Sequence, residues 1–444
     1  MATTVLVIDG GGRAAVLAHK YLQSIHVQEL LVVPGNDLIR IISKKPVKIF
    51  PHLKTTDTAE IVEIAKKEKV DLVDVAQDDA VARGLSDSLT KAGIKVFGPT
   101  KLAGQIEWDK VWARKFMKKF NIPAPSFKVC HSEADGINFI KNQNDSKWFI
   151  KAAGLAAGKG ALFAKNKKEA KDSVKQMKNF GKSGKTYLIE KCIFGEEFSA
   201  FALISNKNFQ IIGFAQDHKQ VFDGDRGPNT GGMGCSSHPQ VVSLKVEAQV
   251  KSIIKKTAQG LSKLRRPYVG ILYLGGMVDK VGKVWVIEFN ARWGDPEAQV
   301  ILPSVKNDYF ELVTSLLKGS MPKIKKDNKY RVIVTAASKG YPGDYSKVIG
   351  KEITGFDKLL KKVTVFGAGA KYENKKWKTA GGRLFYVLGE GQNVAQAREM
   401  AYNALSLVDV KGNNLHYRRD IGYRDLERFY RKKRVNIDLV SLAK

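Results

Sequence analysis

Short apolar runs alternate with amphipathic stretches through the first hundred residues. Residues 4–8, 29–33, 72–75 and 95–97 form apolar runs typical of buried strands, and helical patterns separate most of them. Repeated strand–helix units predict a parallel, doubly wound sheet, which binds ligands at the carboxyl ends of its strands. The helices are predicted at about residues 14–22, 58–68, 81–92 and, beyond the sheet, 102–120.

A glycine-rich turn follows the first predicted strand. Residues 10–12 are all glycine, and glycine lets backbone N–H groups approach a phosphate at a helix N-terminus. The turn is therefore a candidate phosphate site, although an ordinary tight turn would have the same composition.

A second alternating pattern occurs near residue 290. Glu288, Asn290 and Arg292 alternate with the apolar Ile287, Phe289 and Ala291, so the three polar side chains would share one face of a strand while the apolar ones pack behind them. A carboxylate and an amide oxygen suit Mg²⁺, and an arginine can bind a carboxylate or phosphate through two hydrogen bonds. The pattern predicts an active face, although an ordinary strand ending in a turn at Asp295-Pro296 would also carry it.

A loop of small residues lies between two strand-like runs at residues 151–160. Lys151 ends the first run and Lys159 lies inside the loop, which lacks the Gly-Lys-Ser/Thr of a P-loop. Backbone N–H groups and ammonium groups on such a loop can contact triphosphate oxygens when the loop closes. The segment predicts a nucleotide flap, and a flexible hairpin with incidental lysines is the plainer alternative.

Two later segments also carry candidate chemistry. Glu196 and Glu197 follow a predicted strand at residues 187–189. Paired carboxylates suit general acid–base catalysis or hydrogen bonds to ribose hydroxyls, and beside a nucleotide flap we favour the ribose role. Residues 223–234 combine glycine with Asp, Asn and Thr, and long ordered loops of this kind are usually functional.

Composition limits the class of protein. The chain has 444 residues, of which 43% are hydrophobic and 27% charged, and this length predicts about two to four domains. No uncharged apolar run approaches the ~18 residues that would span a bilayer, and the first residues lack the pattern of a signal peptide. We therefore expect a cytoplasmic protein without a membrane segment. Cys130, Cys192 and Cys235 lack metal-ligand or redox spacing and are expected to be reduced.

The net charge of +31 would attract nucleic acid or any anionic ligand. Lysine is spread along the whole chain, however, and no arginine-rich arm or aromatic RNA-binding signature is present. We therefore expect no specific nucleic-acid partner, because anionic nucleotide substrates explain the charge at least as well.

Several short motifs together resemble a known family. They are Pro34-Gly35-Asn36, Gly98-Pro99, Gly154-Leu155-Ala156-Ala157-Gly158-Lys159-Gly160, Gln216-Asp217-His218-Lys219, Gly227-Pro228-Asn229-Thr230-Gly231-Gly232-Met233-Gly234, Glu288-Phe289-Asn290, Gly294-Asp295-Pro296-Glu297 and Arg418-Arg419-Asp420-Ile421-Gly422. In this order they resemble, over nearly the whole chain, the phosphoribosylamine–glycine ligases, which are ATP-grasp enzymes of purine biosynthesis.

The resemblance implies an α/β fold with three domains. We expect an N-terminal doubly wound parallel-sheet domain at residues 1–104 and a two-lobed ATP-grasp domain at 105–325, with a flap subdomain at about 126–190. A C-terminal mixed α+β lobe is expected at residues 326–444.

The implied reaction converts ATP, glycine and 5-phosphoribosylamine into glycinamide ribonucleotide, ADP and phosphate through a glycyl phosphate. Such phosphoryl transfer depends on positioning and charge neutralisation more than on covalent help from the protein. The implied cofactors are ATP and Mg²⁺ or Mn²⁺, and the implied partners are small molecules. We expect a monomer or weak homodimer.

The resemblance also implies roles for individual residues. Glu288 and Asn290 would hold the metal ion. The nucleotide would be bound by Lys151, Gly158, Lys159, Gly160, Glu190, Lys191, Cys192, Ile193, Glu196 and Glu197. Glycine and the transferring groups would be placed by Arg292, Asp295, Asn229 and Thr230. The other substrate contacts would be Gly11, Gly12, Arg13, Asp78, Asp217, Asp225, Gly231, Gly232, Arg418 and Arg419.

The chain departs from the family pattern at three places. Arg13 is followed by Ala14-Ala15, where the family usually has Glu-His, and residues 76–79 read Ala-Gln-Asp-Asp, where it usually has Gly-Pro-Glu. Residues 275–277 also lack the additional metal-binding acid that many ATP-grasp enzymes carry before the Glu-x-Asn strand.

The first two departures fall where phosphoribosylamine should bind. We nevertheless expect its phosphate to be held by the amides of residues 10–12, by Arg13 and by Arg418-Arg419. Asp78 or Asp79 could accept hydrogen bonds from the ribose hydroxyls.

Two alternative functions remain open at this point. The acceptor-side changes permit another ATP-grasp carboxylate–amine ligase with a different amine acceptor. A basic nucleic-acid-binding protein that has kept the fold without catalysis is also conceivable. The intact Glu288, Asn290, Lys151 and Lys159 argue against lost catalysis.

Overall fold

The first hundred residues build a five-stranded parallel sheet in the order β3-β2-β1-β4-β5. The computed structural model describes residues 3–144, 147–156 and 160–431. The strands are β1 (Thr3–Asp9), β2 (Val27–Pro34), β3 (Val47–Ile49), β4 (Leu72–Val75) and β5 (Lys95–Phe97). The helices are α1 (Gly12–Gln23), α2 (Asp37–Ile42), α3 (Thr58–Lys67), α4 (Asp78–Arg83), α5 (Leu85–Lys91) and α6 (Lys101–Trp108).

The predicted parallel sheet is therefore confirmed. The N-terminal region also contains α2 and β3, which the sequence pattern had not predicted. The strand order reverses direction between β1 and β4, and ligands bind such sheets outside the carboxyl ends of the strands at this switch point. The loop at residues 10–12 and the start of α4 both lie there.

Two predicted helices are each divided. The pattern at residues 81–92 covers the end of α4 and all of α5, because Gly84 takes a left-handed conformation with φ +85°. The pattern at residues 102–120 covers α6 and α7 (Lys110–Lys119). Asp109 separates these helices, because its backbone is extended and its side chain accepts the N–H of Trp112 as the N-cap of α7.

A small antiparallel sheet, here called the flap sheet, follows with the strand order β6-β9-β7-β8. Its strands are β6 (Phe127–Cys130), β7 (Trp148–Ala152), β8 (Ala161–Ala164) and β9 (Tyr187–Lys191), accompanied by α8 (Glu133–Lys141) and α9 (Lys167–Gln176). The small-residue loop joins the paired strands β7 and β8, as predicted. Gly158 and Lys159 lie outside the described residues.

The largest sheet is antiparallel and begins in the middle of the chain. Its strands in this region are β10 (Glu196–Ser205), β11 (Asn208–Asp217), β14 (Gly234–Ser237), β15 (Val269–Val278) and β16 (Val284–Asn290), while β12 (Gln220–Phe222) and β13 (Arg226–Asn229) form a separate hairpin. The helices are α10 (Leu244–Lys263), α11 (Ala298–Ile301) and α12 (Tyr309–Leu317).

The C-terminal region continues this sheet. The strand order is β16-β15-β10-β11-β14-β17-β22-β19, so β14 pairs directly with β17. The remaining strands are β17 (Tyr330–Ser338), β18 (Glu352–Thr354), β19 (Thr364–Gly367), β20 (Ala370–Glu373), β21 (Lys376–Thr379), β22 (Arg383–Gly391), β23 (Asp409–Val410) and β24 (Leu415–His416). The helices are α13 (Phe356–Leu360) and α14 (Val394–Leu405), and residues 423–431 are also helical.

No helix in the described part of the chain has the length and apolar character needed to cross a membrane.

Gly12 marks the place where the N-terminal and C-terminal regions touch. A Cβ atom at Gly12 would lie 2.2 Å from Tyr386 Cε2 on β22 and 2.4 Å from Gln299 Nε2. No side chain fits at that distance. The glycine at this position is therefore explained by close packing between regions, independently of any ligand.

We expect Gly12→Ala to lower the melting temperature, because the new methyl group forces Tyr386 or Gln299 to move. Overpacking of this kind costs roughly 1–3 kcal/mol. Gly343→Ala is the matched control, since Gly343 is exposed and its Cβ would have only the Gly340 carbonyl nearby, at 3.2 Å. Thermal unfolding followed by circular dichroism measures both variants, and an equal effect would contradict the packing argument.

Candidate active site

Many of the candidate residues line a single cavity of about 200 Å³. The flap sheet, β16 and the junction of α6 with α7 all contribute to its wall. The structure therefore brings together side chains that the sequence analysis took from separate motifs. The charged and amide residues of the wall are Asp78, Glu107, Lys110, Arg114, Lys151, Glu190, Glu288, Asn290 and Arg292.

β16 carries the predicted active face, but a bulge interrupts its alternation. Glu288 pairs with Gly275 and Val286 pairs with Gly276, so Ile287 is the extra residue. Ile287 was predicted to pack behind the active face. This was wrong, because Ile287 lines the cavity together with Glu288.

Glu288 and Asn290 have the chemistry to bind a divalent cation. Burial would raise the pKa of Glu288, but nearby basic groups, chiefly Lys219, outweigh burial and keep that pKa below its usual value. Asn290 donates its amide to Glu107 Oε1 at 2.8 Å, while its Oδ1 is buried without a hydrogen-bonding partner in the described chain. An anionic carboxylate beside an unsatisfied amide oxygen fits Mg²⁺ or Mn²⁺, which prefer oxygen ligands.

Glu107 positions the end of β16 and was missed by the sequence analysis. Its Oε1 lies 2.7 Å from Arg292 Nη2 and also accepts the amide of Asn290, while its Oε2 accepts the N–H of Ala291 at 2.7 Å. Arg292 donates from Nη1 to the carbonyl of Trp293 at 3.1 Å, and its buried Nε lacks a partner among the described residues. One carboxylate therefore orients both the Asn290 amide and the Arg292 guanidinium.

Lys151 is held in the cavity wall by a buried carboxylate. Its Nζ lies 2.8 Å from Glu190 Oε2, and Arg114 Nε lies 2.6 Å from Glu190 Oε1. Burial would raise the pKa of Glu190, but Arg114 and Lys151 lower it to about 2. The Glu190 side chain thus anchors two cations. Gly160 also lines the cavity, and its carbonyl accepts the N–H of Ala152 at 2.8 Å.

The strand end after Glu190 was predicted to meet adenine through its backbone. The N–H groups of Lys191 and Cys192 donate to the carbonyls of Ser126 and Lys147, at 3.0 and 3.3 Å. These two groups are therefore part of the hydrogen bonding of the flap sheet. Ile193 follows the end of β9. The predicted adenine contact therefore depends on the backbone of Ile193, and it stays a prediction.

Glu196 and Glu197 have different surroundings. Glu196 accepts hydrogen bonds from both terminal nitrogens of Arg428 and from Gln216 Nε2 at 2.9 Å, so its carboxylate is already engaged. Glu197 lies 3.1 Å from Lys219 Nζ and lines a second cavity next to Glu288. Glu196 therefore has less capacity than Glu197 for the predicted ribose contact, which stays a prediction for Glu197.

The second cavity is small and rich in carboxylates. Its volume of about 10 Å³ leaves room for roughly one water-sized group. Asp217 Oδ1 is buried without a hydrogen-bonding partner in the described chain. Burial and the neighbouring Glu297 raise the pKa of Asp217 well above its usual value. Glu297 also accepts a hydrogen bond from Ser199 at 3.2 Å. The polar residues of the wall are Glu197, Ser199, Asp217, Lys219, Tyr273 and Glu288.

Asp295 lies where all three regions of the chain meet. Its Oδ1 accepts a hydrogen bond from Gln299 at 2.5 Å, and its Oδ2 accepts from Arg383 at 3.0 Å and from Tyr386 at 3.2 Å. Arg383 also donates to the carbonyl of Gly231 at 2.6 Å. Asp295 therefore helps to hold the C-terminal region against the loop at residues 223–234, here called the glycine-rich loop. The sequence analysis missed Arg383 and Tyr386.

The side chain of Thr230 holds the glycine-rich loop in place through two hydrogen bonds. Thr230 Oγ1 donates to the carbonyl of Lys219 at 2.8 Å and accepts the N–H of Gly232 at 2.9 Å. A Cβ on Gly232 would lie 2.4 Å from Pro296 Cδ, so the loop packs directly on the segment after β16. Asn229 is exposed at the end of β13.

The N-terminal glycine loop is occupied by a carboxylate of the chain itself. Asp9 Oδ2 accepts the N–H groups of Gly11 and Ala14, at 3.1 and 2.8 Å, and Asp9 Oδ1 lies 2.8 Å from Arg13 Nη2. Arg13 Nη1 donates to the carbonyl of Trp293 at 2.8 Å. Asp9 thus takes two N–H groups near the start of α1 and one guanidinium nitrogen of Arg13, and the phosphate contact of the loop and Arg13 stays a prediction.

Arg418 was also predicted to receive the ribose phosphate, and this was wrong. Its side chain is fully buried and lies 2.8 Å from Asp225 and 2.7 Å from Asp420. Arg418 and Asp225 therefore brace the glycine-rich loop against the C-terminal region and do not face a substrate. The exposed Arg419 donates its backbone N–H to Asp223 at 2.8 Å.

Asp78 and Asp79 begin α4 at the same edge of the sheet. Asp78 lines the main cavity. Asp79 accepts a hydrogen bond from Thr55 at 2.8 Å. Asp78 is therefore the better placed of the two for a substrate hydroxyl.

Comparison with known families accounts for nearly the whole chain. Models of the phosphoribosylglycinamide synthetase family match as the N domain at residues 3–107, the ATP-grasp (A) domain at 108–298 and the C domain at 331–424. The phosphoribosylamine–glycine ligase of Halalkalibacterium halodurans is 38% identical over 430 residues, which are 94% of this chain and 96% of that protein.

A longer relative and two solved structures add to this comparison. The trifunctional purine biosynthetic protein adenosine-3 of Bos taurus is 38% identical, and the match covers 96% of this chain but only 42% of that protein. The crystal structure of phosphoribosylamine–glycine ligase from Thermotoga maritima superposes with a TM-score of 0.79 at 29% identity, covering 94% of this chain and 100% of that one. Biotin carboxylase of Campylobacter jejuni shares the fold, with a TM-score of 0.73 at 15% identity, covering 94% and 93%.

These findings confirm the resemblance read from the motifs and the α/β architecture of an N-terminal parallel sheet, an ATP-grasp domain and a C-terminal domain. The chain belongs to the phosphoribosylglycinamide synthetase family.

Proposed function

We propose that this chain joins glycine to 5-phosphoribosylamine, using ATP and giving glycinamide ribonucleotide, ADP and phosphate through a glycyl phosphate. It is an ATP-dependent carbon–nitrogen ligase of purine biosynthesis. The observation that carries the proposal is the buried, partnerless Oδ1 of Asn290 beside the anionic Glu288, in a cavity that also contains Lys110 and Lys151. We further propose a cytoplasmic monomer or weak homodimer without a specific nucleic-acid partner.

The triphosphate of ATP fits the main cavity. Lys110 and Lys151 supply positive charge on the wall that faces Glu288. Glu288 and Asn290 would hold Mg²⁺ or Mn²⁺, and the ion neutralises charge on the transferring phosphoryl group when bound. Because Glu190 and Glu107 hold their partners through buried contacts, the cationic and amide groups are oriented before the nucleotide arrives.

Glycine fits between the two cavities. Its carboxylate must lie near the phosphoryl group, and Arg292, oriented by Glu107, has a partnerless Nε on that side of the wall. Its ammonium group suits the small cavity, where Asp217 offers an unsatisfied oxygen and Glu197 and Glu288 add carboxylates to the wall. We therefore assign the ammonium to Asp217, because both oxygens of Asp295 are already engaged.

The reaction as a whole is tested by coupled ADP release with glycine and freshly made phosphoribosylamine, and then with each omitted. Mass spectrometry identifies the product. The proposal requires ADP release that depends on both substrates, together with glycinamide ribonucleotide. Release that depends on glycine without this product would favour a ligase with another acceptor.

We expect Glu288→Gln to lower kcat by roughly 100-fold or more while the protein stays folded, because one preorganised charge at a phosphoryl-transfer site is worth about that factor. Asn290→Ala should raise the Mg²⁺ concentration needed for half-maximal rate. Glu399→Gln, on the exposed face of α14, is the matched control. Steady-state kinetics over a Mg²⁺ titration measures all three, and an unchanged kcat for Glu288→Gln at saturating Mg²⁺ would refute the metal assignment.

We expect Asp217→Asn to raise the KM for glycine about 10-fold to 100-fold with little change in the KM for ATP. A hydrogen bond to a charged group is worth roughly 1.5–3 kcal/mol, and the variant replaces one carboxyl oxygen that can accept from the ammonium with a donating NH₂ group. Asp409→Asn, at an exposed position of β23, is the control. If the KM for ATP rises while the KM for glycine stays constant, the ammonium site lies elsewhere.

A further inference from the structure

Ile287 is the residue that the bulge in β16 turns toward the active site. Glu288 pairs with Gly275 and Val286 pairs with Gly276, so Ile287 has no residue opposite it on β15. A bulge can re-aim a side chain, and Ile287 lines both the main cavity and the small cavity. Among the described residues, Ile287 and Glu288 are the two that line both. Their side chains therefore form the partition between the two cavities.

The bulge is held in place by contacts within the chain. Arg114 donates from Nη2 to the carbonyl of Ile287 at 2.6 Å, and Glu190 accepts two hydrogen bonds from the same guanidinium. The apolar core beside β16 includes Val286 and Phe289 but not Ile287, whose side chain is partly exposed. The position of Ile287 is thus fixed by its backbone, and its side chain can be shortened without opening the core.

The proposed binding of glycine places its Cα atom at this partition. The carboxylate of glycine would lie with Arg292 in the main cavity, and its ammonium group would lie with Asp217 in the small cavity. The Cα is the atom that joins these two groups, so it must pass between Ile287 and Glu288. A side chain on the Cα would have to find room at the same place.

The small cavity and the strand behind it offer no such room. The cavity volume of about 10 Å³ holds roughly one water-sized group, and the ammonium fills it. A Cβ on Gly275 would lie 3.1 Å from Glu288 Cγ, and a Cβ on Gly276 would lie 2.5 Å from Phe198 Cζ. The facing strand β15 is therefore packed closely against the cavity wall, and the partition is the place where a substituent on the Cα must be accommodated or rejected.

The other large apolar side chains of the small cavity belong to the core. Phe198 and Tyr273 are both buried, and the ring centroid of Tyr273 lies 4.6 Å from that of Phe201. The hydroxyl oxygen of Tyr273 lies 3.0 Å from Ser199 Oγ. Phe198 and Tyr273 line the small cavity but not the main one. Ile287 is therefore the apolar residue at the partition.

We propose that Ile287 is a specificity-determining residue that admits glycine and excludes amino acids with a side chain on the Cα. The inference rests on the proposed ligase function and deepens it. The branched side chain of Ile287 fills the space that a Cβ of the substrate would need, whereas the hydrogens of glycine fit beside it. Truncation of Ile287 to alanine removes more carbon atoms than an alanine substrate adds, so it opens room for the methyl group.

The test compares glycine with L-alanine and D-alanine, because the two hydrogens of glycine face different sides of the site. For each amino acid, kcat/KM is measured by ADP release at saturating ATP and phosphoribosylamine, and mass spectrometry identifies the products. For the unmodified chain we expect a preference for glycine of about 100-fold or more over both enantiomers, a factor within the cost of forcing an extra methyl group into a packed site. A preference below about tenfold would overturn the proposal.

Ile287→Ala isolates the role of the side chain. We expect the preference for glycine over at least one alanine enantiomer to fall about tenfold or more, through a higher kcat/KM for alanine. Because Ile287 also lines the main cavity, the ratio between amino acids is the readout, since a change in ATP binding affects both members of the ratio. An unchanged ratio in a folded Ile287→Ala protein that still uses glycine would contradict the inference.

Two control variants separate this role from a general effect of the substitution. Ile287→Leu keeps the volume of the side chain and should keep the preference for glycine. Val281→Ala removes a branched side chain from the turn between β15 and β16, where Val281 is 78% exposed, and should leave both kcat/KM values unchanged. A gain of alanine activity in Val281→Ala equal to that in Ile287→Ala would contradict the inference.

A competition measurement keeps the inference testable if Ile287→Ala does not fold. L-Alanine and D-alanine are added to the glycine reaction of the unmodified chain, and their inhibition constants are compared with the KM for glycine. We expect both constants to exceed this KM about 100-fold, and competitive inhibition within about tenfold of it would overturn the proposal. Absence of glycine-dependent ADP release in the unmodified chain would instead refute the proposed function, and this inference with it.

Discussion

Glu107 makes the contact on which the arrangement of the active site depends. It lies one residue before the end of α6, and its two oxygens receive the amide of Asn290, the N–H of Ala291 and the guanidinium of Arg292. A buried carboxylate is costly unless it is fully paired, and here the pairing is complete. The carboxylate therefore fixes the end of β16 against the helix junction. Without it, the Asn290 amide and the Arg292 guanidinium would each lose the partner that orients them.

The same principle organises the nucleotide side of the cavity. Glu190 binds Arg114 and Lys151 in the cavity wall, so a buried acid again holds a cation in place. Phosphoryl transfer gains most from charges that need no reorganisation when the substrate arrives. Asn290 Oδ1 and Arg292 Nε are buried atoms of residues in this wall, and they have no hydrogen-bonding partner among the described residues, so both can contact a ligand.

Whether a residue could be predicted depended on how far along the sequence it lies from the residues that it contacts. Glu288, Asn290 and Lys151 were found because each belongs to a local pattern, an alternating strand or a small-residue loop. Glu107 was not found, since its partner Asn290 lies 183 residues away. Arg418 illustrates the opposite error, in which a motif suggests ligand binding for a residue with a structural role. Its side chain is buried and forms an ion pair with Asp225, which lies 193 residues away in the sequence. Parallel strands and most helices follow periodicity, whereas the break at Asp109 depends on a side-chain cap that periodicity does not show.

The continuous sheet explains how glycine and the acceptor can meet. β14 pairs with β17, and β17 pairs with β22, so Arg383 and Tyr386 are carried on the same sheet as the strands around Asp217. These two residues hold Asp295, and Tyr386 also packs against Gly12 of the N-terminal loop. An amine must come within about 3–3.5 Å of the acyl carbon for efficient transfer, and small errors in that distance are costly. A shared sheet with one carboxylate at the junction of the three regions would limit such errors in the proposed reaction, because the hydrogen bonds of Asp295 tie the C-terminal region to the segment after β16.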